Sequence, residues 1–385
     1  MTVAEPFKNF INPALVRSAA RHLQCAWPDF DAPRFTSRAI AGLEALELKA
    51  RAMQVADALE EVLPTDFAHA ARVLESALAP PYAGADMAGV ALDDRGLRGW
   101  ILWPAGEFVA RRGLASPERA LQALHALTQR FTAEFAIRPF IVAHPVLAFD
   151  TLARWTRDPS AHVRRLVSEG SRPRLPWGIQ LKALIADPSP TLPLLRALQD
   201  DESEYVRRSV ANHLNDIAKD HPALVAQWLE EHLPGASDER RALLRHASRT
   251  LVKRGDRRVL SAWGVGRRFA GTVALTVAPA RIAVGERLAL ALELQSTART
   301  AQRLVIDYVV HHVKHDGSRS PKVFKGWTVD LPARGRLRLA KQHSLKPVTT
   351  RRYYPGRHAI DVHINGVACA SATFTLSLPG PGKRR

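Results

Sequence analysis

Two segments of the sequence place acidic and basic side chains four residues apart, and they belong to an internal repeat. The segment DPSAHVRRLVSEG (158–170) is similar to DESEYVRRSVANH (201–213), and the two begin 43 residues apart. In each segment, Val-Arg-Arg opens a run of apolar residues at helical spacing. The polar positions opposite the apolar ones are Arg165, Glu169, Arg208, Asn212 and Asp216. If the repeats align, these side chains share one surface, where carboxylates could serve acid–base or charge-stabilising chemistry.

The placement of two of these carboxylates bears on whether they form a site. Glu169 and Asp216 each fall near the predicted C-terminal end of a helix. A carboxylate at that end opposes the helix dipole, so helix stability does not explain its presence. A solvated helix face with intrahelical ion pairs would nevertheless show the same spacing. Periodicity alone therefore leaves both interpretations open.

The segment SRPRLPWG (171–178) follows the first repeat helix and adds two arginines and a tryptophan. Arg172 and Arg174 could hold phosphates or lie in solvent. Trp177 could be buried between helices, or it could stack on a base or sugar. Because these residues adjoin Arg165 and Glu169, the combination favours a functional site.

The charge of the chain is polarised along its length. The 385 residues carry a net charge of +18, and residues 271–385 hold 19 basic and 6 acidic side chains, against 15 basic and 17 acidic in residues 1–150. This polarity is typical of a protein that binds a polyanion, with nucleic acid the leading candidate. A soluble protein in which arginine replaces lysine would also be strongly basic, so this reading stays open.

Several classes of protein are disfavoured by what the sequence lacks. It has no run of 18 apolar residues and no signal-peptide pattern, so we expect neither a membrane span nor secretion. Cys25 and Cys369 lack metal-ligand spacing, which favours reduced thiols in a cytoplasmic protein. The motifs of serine hydrolases, zincins, nucleoside triphosphatases and dehydrogenases are missing. We therefore expect no metal and no cofactor.

The periodicity of the sequence predicts two domains of different class. Residues 1–268 show helical spacing, and the 43-residue repeat is typical of HEAT-like helical pairs that stack into a solenoid, with 237–256 as a diverged copy. Residues 269–380 hold short β-rich runs, which predict an immunoglobulin-like sandwich. Asn365-Gly366 predicts a type I′ hairpin turn. The basic residues 381–385 are predicted to be disordered. The fold class is thus an all-α HEAT-like helical solenoid followed by an all-β immunoglobulin-like sandwich.

Longer motifs give the chain a resemblance to a known family. The segments PFKNFINPALVRSAARHL, WPDFDAPRF, GLEALELKAR, FAIRPFI, DPSAHVRRLVSEGSRPRLPWG, VRRSVANHLNDIAKDHP and RHASRTLVKRGD are those that carry it. They resemble the AlkC-type bacterial DNA alkylation-repair glycosylases, relatives of AlkD among the HEAT-like-repeat glycosylases. The resemblance runs through most of residues 1–258, and the predicted sandwich fits the members that carry a C-terminal immunoglobulin-like domain.

The resemblance implies a function and a set of site residues. The enzyme would bind duplex DNA and hydrolyse the N-glycosidic bond of N3-alkylated bases such as 3-methyladenine and 3-methylcytosine, with the lesion staying largely in the helix. The family's active-site acids fall on Glu134, Glu169 and Asp216, its aromatic residue on Trp177, and its arginine on Arg165. An N3-alkylated base is a cationic leaving group, so the carboxylates would stabilise an oxocarbenium-like sugar and orient the attacking water.

The predicted DNA contacts lie in both domains. In the helical domain we expect Arg165, Arg172, Arg174 and Arg208 to hold phosphates. In the sandwich we expect contacts from the segment HHVKHDGSRSPKVFK and from the arginines of PARGRLRLAK. The residues of the first segment are His311, His312, Lys314, His315, Arg319, Lys322 and Lys325. The partner would be alkylated double-stranded DNA, bound by a monomer in the cytoplasm at the nucleoid.

Two other functions remain possible from the sequence. A non-catalytic HEAT-repeat scaffold could bind DNA or an acidic protein, but it needs no carboxylates inside its own basic groove. A single-strand binder would need several exposed aromatic residues among basic ones. Only RRYYPGRH has that composition, and we expect Tyr353 and Tyr354 to lie in the core and at a corner of the sandwich.

Overall fold

The computed structural model describes residues 5–82, 84, 94–265, 267–348 and 351–378. The predicted disordered segment 381–385 lies outside these residues. Within them, helices occupy the first part of the chain and strands the last, which confirms the predicted order of an all-α region followed by an all-β sandwich. No described helix is long and apolar enough to span a bilayer.

The chain divides into two compact units. The first comprises Met1–His221 and Ala236–Ala247, and the second comprises Pro222–Gly235 and Ser248–Arg385. The unit with the strands therefore also includes short helical segments, and the domain division predicted at residue 268 stays a prediction.

The first unit is helical throughout its described residues. Short 3-10 helices lie at Phe7–Phe10, Leu43–Ala45, Gly99–Ile101 and Ser189–Thr191. The α-helices are α1 (Pro13–Ala26), α2 (Ala32–Ile40), α3 (Leu48–Val62), α4 (Phe67–Ser76), α5 (Leu102–Arg112), α6 (Pro117–Thr128), α7 (Arg138–Ala143), α8 (Pro145–Trp155), α9 (Ala161–Gly170), α10 (Lys182–Ala186), α11 (Leu192–Leu198), α12 (Glu204–Asp220) and α14 (Asp238–Ala247).

The repeated Asp…Val-Arg-Arg motif sets the start of α9 and α12. The carboxylate of Asp158 accepts a hydrogen bond from Ser160 N at 2.8 Å, and that of Asp201 accepts one from Ser203 N at 2.9 Å, so each aspartate fixes the turn before its helix. The first arginine of each pair folds back onto carbonyl oxygens of the same turn. The valine beside it is fully buried in both copies. The first arginine therefore stabilises the turn before its own helix, and Arg164 also pairs with Asp201 of the second copy.

The second unit combines three helices with a β-sandwich. The helices are α13 (Pro222–His232), α15 (Arg249–Arg254) and α16 (Arg257–Ala262). The strands are β1 (Gly271–Ala278), β2 (Arg281–Ala283), β3 (Arg287–Ser296), β4 (Gln302–Val313), β5 (Arg319–Leu331), β6 (Arg336–Ser344), β7 (Gly356–Ile364) and β8 (Val367–Ser377). One sheet has the order β1-β3-β6 and the other has the order β2-β8-β7-β4-β5.

Apolar side chains at every second position of the strands form the core of the sandwich. Along β3, Leu288, Leu290, Leu292 and Leu294 are buried at every second position, as a half-buried strand requires. Tyr353 is buried with them, as predicted. The turn between β7 and β8 has positive φ at both Asn365 (+49°) and Gly366 (+77°), which confirms the predicted type I′ geometry.

Candidate active site

Charged side chains of alternating sign form a continuous series of contacts in the first unit, which we call the ion-pair chain. In order of contact its members are Glu134, Arg165, Glu169, Arg172, Asp216 and Lys219. They come from the turn before α7, from α9, from the loop of residues 171–181 and from α12. The structure therefore brings together the three acids that the resemblance singled out.

Arg165 joins the first two acids of the ion-pair chain. Its Nη1 lies 2.7 Å from Oε2 of Glu134, and its Nη2 lies 3.8 Å from Oε2 of Glu169. Its guanidinium carbon also lies 4.9 Å from the ring centroid of Tyr205, within cation–π range. Thr132 donates its hydroxyl to the same Glu134 oxygen at 2.8 Å. Among the described residues no donor contacts Oε1 of Glu134, so this oxygen is open to a further partner.

Glu169 is a buried carboxylate held in the ionised form. Its side chain is 7% exposed, Oε1 accepts from Arg172 Nη1 at 2.6 Å, and Oε2 accepts from Ser209 Oγ at 2.5 Å. Burial by itself would raise its pKa, but Arg165, Arg172 and the Ser209 hydroxyl together hold the pKa of Glu169 below its ordinary value. A carboxylate in this state stabilises positive charge and does not donate a proton. The solvated-face interpretation is therefore wrong for Glu169.

Asp216 is even more deeply buried, and Arg172 connects it to Glu169. Its Oδ2 accepts from Arg172 Nε at 2.8 Å, and its Oδ1 accepts from Lys219 Nζ at 2.8 Å. The Asp216 side chain is 2% exposed, whereas that of Lys219 is 39% exposed. The ion-pair chain therefore runs from a buried centre to the surface at Lys219.

Trp177 lies on the surface of the loop of residues 171–181. It is 60% exposed and has a φ of +65°, a left-handed conformation that is unfavourable for a tryptophan. Its ring stacks on Trp103 with centroids 6.5 Å apart, and Trp103 in turn stacks on Phe135, which follows Glu134 in the chain. Of the two predicted placements, the structure shows the exposed one. A strained, exposed aromatic face on the loop that follows Glu169 suits a stacking role.

The polar positions predicted on α12 do not share a single surface. Asp216 is buried, whereas Arg208 is exposed and lies 3.6 Å from Glu204, and Asn212 Oδ1 is paired with His246 Nε2 at 2.8 Å. Steps of four residues drift around an α-helix, so positions eight apart face directions about 80° apart. The prediction that Arg208 shares one surface with Glu169 and Asp216 is therefore wrong, and Asn212 is engaged by His246 of α14. A role for Arg208 in DNA binding stays a prediction.

The two arginines of the 171–181 loop have carboxylate partners in this structure. Arg172 is 8% exposed and bridges Glu169 and Asp216. Arg174 makes a bidentate contact with Asp220, with distances of 2.7 and 2.8 Å. Their predicted role as phosphate contacts stays a prediction, and the buried position of Arg172 favours a different role, the orientation of the two acids.

The arginines of PARGRLRLAK fall on the turn between β5 and β6 and on β6, whereas the contacts predicted in HHVKHDGSRSPKVFK fall on β4, β5 and the turn between them. Five of these side chains are exposed: Lys314, His315, Arg319, Lys322 and Lys325. His311 is half-buried and contacts Asp361 at 2.7 Å. His312 is buried against Tyr353, since alternation along β4 turns it inward, and its Nε2 accepts from Arg351. In this conformation His312 cannot reach a phosphate, which corrects that prediction.

Sequence reasoning missed several residues that build the site. Ser209 donates the hydrogen bond to the second oxygen of Glu169. Lys219 pairs with Asp216 three residues before it, and this i,i+3 spacing is visible in the sequence. Arg138 is fully buried and donates to carbonyl oxygens of Gly170, at the end of α9, and of Arg172 and Ile179 in the loop of residues 171–181. Its motif, FAIRPFI, was identified, but nothing in the sequence marks an arginine as a donor to a distant loop. No His, Cys, Asp and Glu cluster suited to a metal is present among the described residues.

Two family models match the chain. Residues 131–251 match the model described as "DNA alkylation repair enzyme", which covers α9, the loop of residues 171–181 and α12. Residues 272–378 match "Uncharacterised protein YhaZ, C-terminal Ig-like domain".

Two proteins are similar over nearly the whole chain. "Uncharacterized protein YhaZ" of Bacillus subtilis (strain 168) is 37% identical over 373 residues, covering 96% of this chain and 99% of that protein. Alkylpurine DNA glycosylase AlkC of Pseudomonas fluorescens, solved bound to DNA containing an abasic site analog, is 35% identical with a TM-score of 0.87. That match covers 97% of this chain and all of the AlkC chain.

Proposed function

Because this chain belongs to the AlkC and YhaZ family of DNA alkylation repair proteins, we propose that it is a DNA glycosylase for cationic N3-alkylated bases. It would hydrolyse the N-glycosidic bond of 3-methyladenine and 3-methylcytosine in duplex DNA and so begin base excision repair. The observation that carries the proposal is the convergence of Glu134, Glu169 and Asp216 in one ion-pair chain. A scaffold protein has no need of three carboxylates gathered in this way.

The chemistry of the substrate matches an ionised carboxylate site. An N3-alkylated base already carries a positive charge, so it leaves without protonation by an acid. As the bond breaks, positive charge develops on the deoxyribose, and a nearby carboxylate stabilises it. Glu169 suits this role because its lowered pKa keeps it ionised. Water then attacks the sugar carbon, and a carboxylate oxygen orients the water and accepts its proton.

The neighbouring cations fix the carboxylates before the substrate arrives. Arg165 and Arg172 each contact two acids, so the positions of Glu169 and Asp216 are set without rearrangement during the reaction. Each carboxylate oxygen can accept more than one hydrogen bond, so these contacts leave capacity for a water. Oε1 of Glu134 has no protein donor among the described residues, and the Glu134 side chain, at 13%, is the most exposed of the three acids.

Trp177 supplies the other part of substrate recognition in this proposal. An exposed indole face gains energy from a cationic base or a sugar that approaches it. We propose that the lesion stays largely within the helix and is approached from the backbone side. DNA as the partner is supported by the likeness to AlkC, which was solved with DNA, and its duplex form is part of the proposal. A monomeric, cytoplasmic, nucleoid-associated enzyme remains part of the proposal.

The direct test is base release from methylated duplex DNA. The full chain is incubated with duplex DNA treated with a methylating agent, and released bases are separated by chromatography, with untreated DNA of the same sequence as the control. We expect free 3-methyladenine and 3-methylcytosine from the methylated DNA alone. Binding to both DNAs without release of any base would instead assign the chain to the non-catalytic scaffolds.

A further inference from the structure

Arg138, the first residue of α7, is a buried cation without a carboxylate partner. Its side chain is fully buried, and among the described residues no Asp or Glu oxygen lies within 4 Å of its guanidinium. Burial, together with the charge of Arg172, lowers the pKa of Arg138 to about 10, so it remains protonated at neutral pH. A buried charge of this kind destabilises the folded state unless its N–H groups all have hydrogen-bond acceptors.

The hydrogen bonds that Arg138 donates are all to main-chain carbonyl oxygens, and these lie at both ends of one loop. Nη1 lies 2.8 Å from the carbonyl oxygen of Gly170 and 2.7 Å from that of Arg172. Nε lies 2.7 Å from the carbonyl oxygen of Ile179. One guanidinium therefore joins the beginning and the end of the loop of residues 171–181, with charge-assisted hydrogen bonds.

Ion pairs also hold the first half of this loop, where Arg172 bridges Glu169 and Asp216 and Arg174 pairs with Asp220. Pro173 and Pro176 have no N–H to donate. Two backbone hydrogen bonds join described residues within the loop, Gly178 N to Leu175 O at 3.2 Å and Leu181 N to Pro173 O at 3.1 Å. A Cβ added at Gly178 would lie 3.2 Å from Nε of Arg138, so a glycine there leaves room for the guanidinium.

The residue that this loop presents is held in an unfavourable conformation. Trp177 has a φ of +65° and a largely exposed ring, which stacks on Trp103, and its carbonyl oxygen accepts a hydrogen bond from Lys49 Nζ at 3.4 Å. Such a conformation persists only where the surrounding structure fixes it. The carbonyl contact of Arg138 at Ile179 lies two residues away from Trp177.

We propose that Arg138 is a positioning residue, which fixes the loop of residues 171–181 from within and so presents Trp177 to the substrate. The role of Trp177 rests on the proposed glycosylase activity, whereas the fixing of the loop does not. Arg138 touches no reacting atom, and its effect on base excision passes through Trp177.

Proteolysis tests the fixing of the loop without any measurement of activity. Trypsin can cleave the loop after Arg174 but not after Arg172, because Pro173 follows Arg172. Arg138→Lys adds or removes no trypsin site, because Pro139 follows position 138. We expect cleavage after Arg174 in the native Arg138→Lys protein to be faster by roughly tenfold, since charge-assisted hydrogen bonds are lost.

Arg51 offers a matched control, because it is also buried and also donates to main-chain carbonyls. Its partners are the carbonyl oxygens of Lys8, Ile11, Glu44 and Leu46. Arg51→Lys should lower the melting temperature as Arg138→Lys does, while leaving cleavage after Arg174 unchanged. Equal cleavage rates in the two variants and the wild type would overturn the proposal. If Arg138→Lys does not fold, Arg138→Gln is used, which keeps one amide donor.

A double-mutant cycle tests the effect on excision. We expect Arg138→Lys to slow excision by roughly tenfold in the wild type and by much less in the Trp177→Ala protein. The decrease in melting temperature caused by Arg138→Lys should be the same in both backgrounds, because the stabilising effect of Arg138 does not depend on Trp177. An equal loss of excision in both backgrounds would overturn the role through Trp177. Absence of excision in the wild type would refute the proposed function, while the proteolysis result would still decide the fixing of the loop.

Discussion

Nη1 of Arg172 lies 2.6 Å from Oε1 of Glu169, which attaches the loop of residues 171–181 to the last turn of α9. The same guanidinium reaches Asp216 through Nε at 2.8 Å. Its side chain is 10% exposed. Arg172 therefore holds two acids of the site in place, and its remaining donors have little access to a phosphate. This relationship separates Arg172 from arginines that bind DNA from the surface.

We predict that Arg172→Gln lowers stability and excision without changing the salt dependence of DNA binding. Removal of one partner from a buried ion pair costs about 3–5 kcal/mol, because the other charge is left buried. Thermal melting measures the first effect, and DNA binding titrations at several salt concentrations measure the second. Arg174→Gln is the control for stability, since its contact with Asp220 is more exposed and its loss should lower the melting temperature much less. A flattening of the salt slope by about 0.9 in Arg172→Gln would identify it as a phosphate ligand.

We predict that Glu169→Gln and Asp216→Asn each slow base excision by roughly 10²–10³-fold, because each removes a negative charge that, in the proposed mechanism, stabilises the developing cation. DNA affinity should stay near that of the wild type, since neither residue lies at the surface. Single-turnover release of 3-methyladenine and equilibrium binding measure the two effects.

Glu204→Gln is the control for these two variants, because Glu204 also lies on α12 but its side chain is 79% exposed. It should leave excision unchanged. Wild-type rates in the Glu169 and Asp216 variants, with a folded protein, would mean that the acids of the ion-pair chain are only structural.

We predict that Trp177→Ala slows excision with little loss of stability. The ring is largely exposed, so its removal leaves no cavity in the core. Trp177→Gly should be more stable than Trp177→Ala by about 1 kcal/mol, because glycine adopts a positive φ without strain. Thermal melting and single-turnover excision are measured on both variants. A collapse of the melting temperature in Trp177→Ala would mean that the indole supports the fold instead of the substrate.

Local sequence patterns were sufficient to predict much of the fold. The 43-residue repeat marked the starts of α9 and α12, because the same aspartate and arginine build the turn before each helix. Asn365-Gly366 marked a hairpin, because only residues that tolerate positive φ fit that turn. These features depend on neighbouring residues alone. The assignment of α13 to the unit that contains the strands depends on tertiary packing and left no local signal.

The site was predicted less completely, for a geometric reason. The acids were identified by motif, but the prediction also placed Arg208 on their surface. Arg208 lies eight positions before Asp216 on α12, and helical drift turns its side chain away from the acids. The arginine bridge of Arg172 and the buried donor Arg138 depend on contacts between residues more than 30 positions apart. Periodicity along one helix contains no information about such contacts.

We predict that stability falls as the pH drops below about 6.5, through buried histidines of the sandwich. Burial first, and the charge of Arg351 next, lower the pKa of His312 to about 3 and that of His343 to about 4. The folded state therefore keeps both rings neutral where the unfolded state protonates them near pH 6.5. Their contribution is complete above pH 6.5 and is lost progressively from there towards pH 3–4. Melting temperatures at a series of pH values measure this loss.

His343→Phe tests the assignment to a particular residue. The variant keeps the ring that packs on Phe324 and Tyr308 but removes the titratable group. The fall in melting temperature between pH 7.5 and pH 5 should therefore be smaller than in the wild type. An identical fall would place the pH dependence in other groups.

We predict that the exposed cations of the β4–β5 hairpin determine part of the salt dependence of DNA binding. Residues 271–385 carry a large excess of basic side chains, which a sandwich does not need in order to fold. Deletion of the strands alone would cut through a compact unit that includes α13, α15 and α16. Substitution in the full chain is therefore the better test. The variant replaces four exposed side chains with glutamine: Lys314, Arg319, Lys322 and Lys325.

If each of these side chains holds one phosphate, the slope of log K against log salt should flatten by roughly three to four units, at ~0.9 per phosphate. Excision at moderate salt should fall with affinity. The control replaces four other exposed cations of the same unit with glutamine, so that the net charge changes equally: Arg281, Arg287, Lys346 and Arg357. His312 is left intact in both variants, because it is buried and its loss would disturb the core. An equal flattening in both variants would mean that net charge, and not the β4–β5 hairpin, determines the salt dependence.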